Sequence, residues 1–161
     1  MNEFSYNEGD IFGVPLRNGN FALGVIARLA PPGVVLLGYF YSYQSQDLPS
    51  ADELPILKPQ DAVAVLRFSA LSLRTGEWRV ISRIEQWLTK RGQWRMPRFL
   101  RRFPVSDVAW LVSYAEDDPS QEVALNPCND GTLGYEPDGM CGAGFVEIRL
   151  TKLLENSIAS N

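Results

Sequence analysis

The stretch DIFGVPLRNGNFALGVIARL, Asp10 to Leu29, decides the fold. Asn18-Gly19 is a strong reversal signal, since both central positions of a type I′ turn need positive φ, and it divides two runs of strand character. In the second run Phe21, Leu23, Val25, Ala27 and Leu29 share one face of a strand, and Ala22, Gly24, Ile26 and Arg28 share the other. Both faces are mostly apolar. The sheet is therefore expected to be covered on both sides or to curl into a barrel-like form, with Gly24 and Gly38 relieving crowding at the bends. Pro32-Gly33 marks a second reversal before VVLLGYFYSY, so residues 10 to 41 read as a three-stranded antiparallel meander.

Farther along, Pro49, Pro55 and Pro59 keep residues 44 to 61 a connector, and the capping-box spacing of Ser50 and Glu53 supports one helical turn over Ala51 to Leu54. Ala62 to Phe68 is an apolar run of strand length. Trp78 to Arg83 fits a strand, although Val80, Ile81, Ile84, Trp87 and Leu88 also fit one face of a helix; the strand is preferred. Val108 to Ala115 and Gln121 to Leu125 read as strands. Gly144 to Leu150 reads as another, from the alternation of Phe145, Glu147 and Arg149, with a short helical turn at Leu150, Leu153 and Leu154. The expected class is mostly β, α+β at most: an antiparallel, twisted or barrel-like sheet with short helical turns.

A chain of 161 residues, 45% hydrophobic, is long enough to bury one core. Residues 1 to 161 are expected to form a single domain with residues 155 to 161 a flexible tail. No apolar run reaches the length of a membrane span, and the N-terminal MNEFSYNEGD is acidic where a signal peptide is basic and then apolar. A soluble, cytoplasmic protein is expected, with Cys128 and Cys141 as free thiols. The absence of histidine removes Ser-His-Asp and Cys-His nucleophiles, the imidazole base and histidine-bound zinc. No phosphate loop or dinucleotide fingerprint is present, and Asn129 to Asp138 reads as a turn, not a calcium loop. Neither a cofactor nor a metal is expected, and the chain is read as no enzyme.

Charge is unevenly spread. Residues 74 to 102 hold nine of the 15 basic residues and two of the 19 acidic ones, while the rest of the chain is strongly acidic. Within them RGQWRMPRFLRRF, Arg91 to Phe103, admits three readings. Its arginines pair with the acidic remainder while Trp87, Trp94 and Phe99 pack inward; or Trp94, Arg95, Arg98, Arg101 and Arg102 form a protein-contact surface; or they touch nucleic acid. A net charge of −4 disfavours the last as a main task. Glu116, Asp117 and Asp118, ahead of Pro119, are expected on an exposed turn with their carboxylates hydrated. With Glu122 they make a candidate docking surface for a cationic partner such as a nuclease cleft.

The order EGDIFGVPL, FALGVIARL, VLLGYFYS, LPILKPQDAV, LRFSALSLRTGEWRVI, QWRMPRFLRRF and GFVEIRLTKLL resembles the immunity protein 26 family of bacterial polymorphic toxin systems, from about Tyr6 to Leu154. Two features depart from it: no proline follows Trp78, and LTKRG before Trp94 is unusually basic. The resemblance implies a mostly β protein, encoded beside a toxin, that protects the producing bacterium by binding that cognate toxin. It implies no catalytic residues. The alternative is a regulatory or nucleic-acid-associated module that uses residues 74 to 102.

Overall fold

Asp10–Pro15 (β1), Phe21–Leu29 (β2) and Val35–Ser45 (β3) form the expected antiparallel meander. The computed structural model describes residues 5–29, 33–103, 105, 107–128 and 134–159, with side chains for all of these except residues 44 and 156–159. Ala64–Ser69 (β4) and Arg79–Arg83 (β5) complete a five-stranded sheet of order β4-β3-β2-β1-β5. Phe99–Arg102 (β6), Ala109–Ala115 (β7) and Asp118–Cys128 (β8) make a second antiparallel sheet of order β6-β7-β8. The barrel-like alternative is thereby replaced by two open sheets.

The first turn differs from the one expected. Gly19 has φ of +87°, but Gln86 is the one non-glycine with positive φ among the described residues, so Asn18 does not take the type I′ conformation. The loop is instead Arg17-Asn18-Gly19. Gly19 N–H donates to the Leu16 carbonyl (3.2 Å) and Leu16 N–H to the Asn20 carbonyl (2.7 Å), the three-residue hairpin in which glycine supplies the left-handed last position. Of the second reversal, Pro32 lies outside the described residues.

Two cores flank the five-stranded sheet. On one face Phe12, Val14, Ile26, Phe40, Leu66, Phe68 and Trp78 meet Val146, Leu150 and Leu154 of the helix Ala143–Ala159. On the other, Leu23, Val25, Leu37, Tyr39 and Tyr41 meet Trp87, Trp94, Phe99, Val112 and Tyr114. The sheet is thus covered on both sides, as its two apolar faces demand. Gly24 and Gly38 serve the first core: a Cβ on Gly24 would run into the Phe12 ring, and one on Gly38 would lie 2.7 Å from Phe68. Their missing side chains let Phe12 stack on Trp78 at 5.7 Å and meet Phe40 edge-on at 5.9 Å. These glycines make room for rings on the sheet, and Gly38 pairs with Ile26 beside a register irregularity.

Register changes twice within β2, between Phe21 and Leu23 and again between Ile26 and Arg28. Ile26 pairs with Gly38 and Arg28 with Leu37, an irregularity that leaves one extra residue on β2. Strict alternation fails at such a bulge. Leu29 therefore packs with the Ile26 core, and Arg28 turns to the side of Tyr39, the reverse of the faces assigned from the sequence.

The C-terminal strand expected over Gly144 to Leu150 is a helix. Labelled α3 after two short ones, Leu71–Thr75 (α1) and Trp87–Lys90 (α2), it runs from Ala143 to Ala159 and so continues through residues 155–159. Val146, Leu150 and Leu154 recur every four residues on its buried face, a period that outranks the alternation of Phe145, Glu147 and Arg149. Arg149 pairs with Glu136 at 3.0 Å, and Glu147 accepts from Trp78 Nε1 at 3.0 Å. The helical turn at residues 51–53 is present as 3₁₀, without the capping box: Ser50 Oγ bonds the Glu53 carboxylate itself at 2.9 Å. β5 confirms the strand preferred there, whereas β6 lies in the basic stretch, for which no strand was expected. Residues 129–133 and 160–161 lie outside the described residues.

Candidate protein-binding face

The acidic turn is not three freely hydrated carboxylates. Arg28, 1% exposed, donates from Nε to the Glu116 carbonyl (2.8 Å), from Nη2 to Glu116 Oε1 (3.1 Å) and from Nη1 to the Ala27 carbonyl (2.6 Å). Burial, aided by the nearby Arg91 charge and opposed by Glu116, lowers the pKa of this guanidinium. Arg91 in turn bonds Asp117 at 2.8 Å and Glu8, which also accepts from Trp87 Nε1 at 3.1 Å. Its own pKa is raised, first by the Glu8 hydrogen bond. Glu116 further accepts from the Met96 N–H at 3.1 Å. Asp118 folds back on Ser120, whose hydroxyl and N–H hold its carboxyl below the usual range. The turn is exposed, with Asp117 76% accessible, yet most of its charge serves arginines of the same chain.

The basic segment faces it. Trp94 is buried against Tyr39 (5.1 Å) and Trp87 (5.7 Å), so it belongs to the core and is no surface anchor. Arg101 bonds Asp138 (2.9 Å) and Glu122 (2.8 Å). Asp138 also accepts from Tyr114 Oη (2.5 Å) and Arg67 Nη1 (3.3 Å), and the Arg67 guanidinium lies 3.9 Å above the Tyr114 ring. Burial, then the Asp138 hydrogen bond, pushes the Tyr114 hydroxyl up to about 12. Asp138 sits where its segment bridges both sheets, pairing with Leu100 of β6 through Pro137 and with Phe68 of β4 through Cys141. Arg98 reaches Tyr135 Oη at 3.3 Å, while Arg95 and Arg102 are exposed and form no ion pair among the described residues. Two surfaces that the sequence offered as alternatives are therefore one laced surface, with Glu122 and Arg101 bonded across it.

A different face presents open apolar groups. It is built from the connector Leu54–Gln60 and from the turn that leads β5 into α2. Gln86 sits in that turn at φ 55°, ψ 41°, a left-handed conformation held by a non-glycine residue. This geometry sends Trp87 into the core and leaves Leu88 outside at 87% exposure. Across from it Ile56, between Pro55 and Leu57, is 85% exposed. Ile56 borders a cleft of about 380 Å³ that shares Arg83 and Ile84 with a more open hollow of about 500 Å³ beside Leu88. Arg83 and Lys90 line these hollows with Glu85, and Lys58 joins Lys90 in a third hollow of about 290 Å³ that Ile56 also borders. Sequence reasoning missed this face because Leu88 fell in phase with inward residues and Ile56 lay in a connector. The available signal was an isoleucine bracketed by proline and leucine in a segment too broken to bury it.

Among the described residues no three Cys, Asp or Glu side chains gather as a metal site. Neither Cys128 nor Cys141 is in a disulfide, and burial raises the Cys141 thiol to about 11, keeping it protonated at neutral pH. No helix in the described residues is long and apolar enough to cross a membrane. No curated protein and no solved structure matches the chain. A family model described as immunity protein 26 matches residues 7–107, which take in the five-stranded sheet, α1, α2 and β6 but not the β7-β8 hairpin or α3. With most of its length matched and the expected mostly β architecture in place, the chain belongs to the immunity protein 26 family.

Proposed function

We propose that this protein neutralises a cognate toxin of a bacterial polymorphic toxin system by binding it in the cytoplasm, without chemistry of its own, through the face formed by Leu54–Gln60, β5 and α2. The observation that carries the docking site is the exposure of Ile56 and Leu88 on adjoining hollows, since large apolar groups left in water beside a concave surface are typical of contact sites. Family membership supports the class of function. The face also lies within the matched residues, whereas Glu116, Asp117, Asp118 and Glu122 lie beyond them and mostly serve Arg28, Arg91 and Arg101.

Replacing Ile56 and Leu88 together with aspartate is expected to weaken binding to the polypeptide encoded beside this gene by at least about tenfold, roughly 1.4 kcal/mol. The melting temperature should stay within about 2 °C, because neither side chain supports the core. Unchanged affinity in a calorimetric titration places the interface elsewhere. Nucleic acid is not expected as a partner. Arg91 and Arg101 already hold internal carboxylates, and the surrounding chain is acidic. Random duplex DNA or RNA at physiological salt should therefore show no shift in a gel at micromolar protein; a shift lost on replacing Arg95, Arg98 and Arg102 with serine would favour the nucleic-acid reading.

A further inference from the structure

Although the chain carries a net charge of −4, the residues that line the hollows around Ile56 and Leu88 bring three cations and one carboxylate, with Asp52, Glu53 and Asp61 on the flanking 3₁₀ turns. The cations are Lys58, Arg83 and Lys90, and none forms an ion pair among the described residues. Arg83 feels Asp10, but that carboxylate is buried, accepts from the Asn7 N–H at 2.6 Å and has its pKa raised by its burial. Glu85 is the one carboxylate among the lining residues. The acidic turn is the opposite case: Glu116 is spent on Arg28 and Asp117 on Arg91. Long-range attraction depends on charge that is not neutralised by close partners. We infer that the partner surface received here is acidic: it presents carboxylates to Lys58, Arg83 and Lys90 around an apolar contact with Ile56, Ile84 and Leu88.

This inference rests on the toxin-binding reading and reverses the polarity that the acidic turn alone implied. A second copy of this chain is a poorer occupant, because the same cations would face each other across a two-fold contact. The cationic rim also explains why open apolar groups are tolerated: it keeps like molecules apart while admitting a surface of opposite sign.

The test compares association rates with the protein encoded by the neighbouring toxin gene, by stopped flow at low and physiological salt. Three proteins are used: the wild type, the triple variant Lys58→Glu, Arg83→Glu, Lys90→Glu, and the double variant Asp117→Asn, Asp118→Asn. The expected result is a wild-type rate that falls with salt, a triple variant slowed at least about tenfold at low salt, and a double variant within about twofold of wild type. The triple variant's melting curve and circular dichroism spectrum should match the wild type's; if they do not, the single variants Lys58→Glu and Lys90→Glu, each expected to slow association about threefold, carry the test. A double variant that slows while the triple or single variants do not overturns the inference and leaves toxin binding standing. No association of the wild type overturns both. Sedimentation showing a dimer dispersed by the triple variant overturns it in favour of self-association.

Discussion

Replacing Asp138 with alanine is expected to lower stability by about 3 kcal/mol and the melting temperature by roughly 6 to 12 °C in a chain of this size. Its carboxylate is the shared acceptor of Arg67, Arg101 and Tyr114, which come from different sheets. Removing it leaves the nearly buried Arg67 guanidinium with the Tyr114 ring and hydroxyl and the Pro119 carbonyl, but with no counter-charge. Such a loss costs more than the intact pair contributes, because a desolvated cation is stranded. The expected companion is Tyr114→Phe, which deletes one donor to Asp138 and should cost only about 1 kcal/mol. Thermal melts that place Asp138→Ala within about 2 °C of wild type would show that the two sheets do not depend on this joint.

Gly24→Ala should be destabilising out of proportion to one methyl group, by about 2 to 3 kcal/mol. The new Cβ would overlap the Phe12 ring, which is fixed between Gly24 on one side and the Phe40, Phe68 and Trp78 rings around it. Interiors this closely packed do not absorb the volume by drifting. A second change, Phe12→Leu, removes the obstructing ring. In the doubly substituted protein the two losses should sum to less than their separate costs by about 1 kcal/mol or more, which chemical denaturation of the four proteins measures as a coupling. Additive losses would mean that the ring has room to move away and that Gly24 is a matter of backbone freedom alone.

Much of the larger sheet was legible because its information is local. Asn18-Gly19 and the strands around it carry turn and period-two signals that need no partner to be read, and even the mistaken turn type left the strand pairing intact. The faces beyond Ile26 were not legible, since a bulge is decided by how β2 meets β3 and moves Arg28 across the sheet without any signature of its own. Gly144 to Leu150 failed for a related reason: Val146, Leu150 and Leu154 declare a helix only when the window extends past the apparent strand. The burial of Trp94 and Phe99 could be inferred from aromatic residues among arginines. Their neighbours' partners could not. Arg91 meets Asp117 and Arg101 meets Glu122 across more than twenty residues of sequence, so basic segment and acidic turn looked like rival surfaces when they neutralise one another. The proposed binding face was hardest to see, because exposure of Ile56 and Leu88 is a property of the fold, not of their own composition.

Binding without chemistry is the core of this account, and native mass spectrometry of the protein mixed with the polypeptide encoded beside its gene tests it most directly. The expected spectrum holds a complex whose mass is the sum of the two chains in a fixed ratio, and on dissociation each returns at the mass its sequence dictates. Two uncomplexed species, or a toxin released with an altered mass, would contradict it.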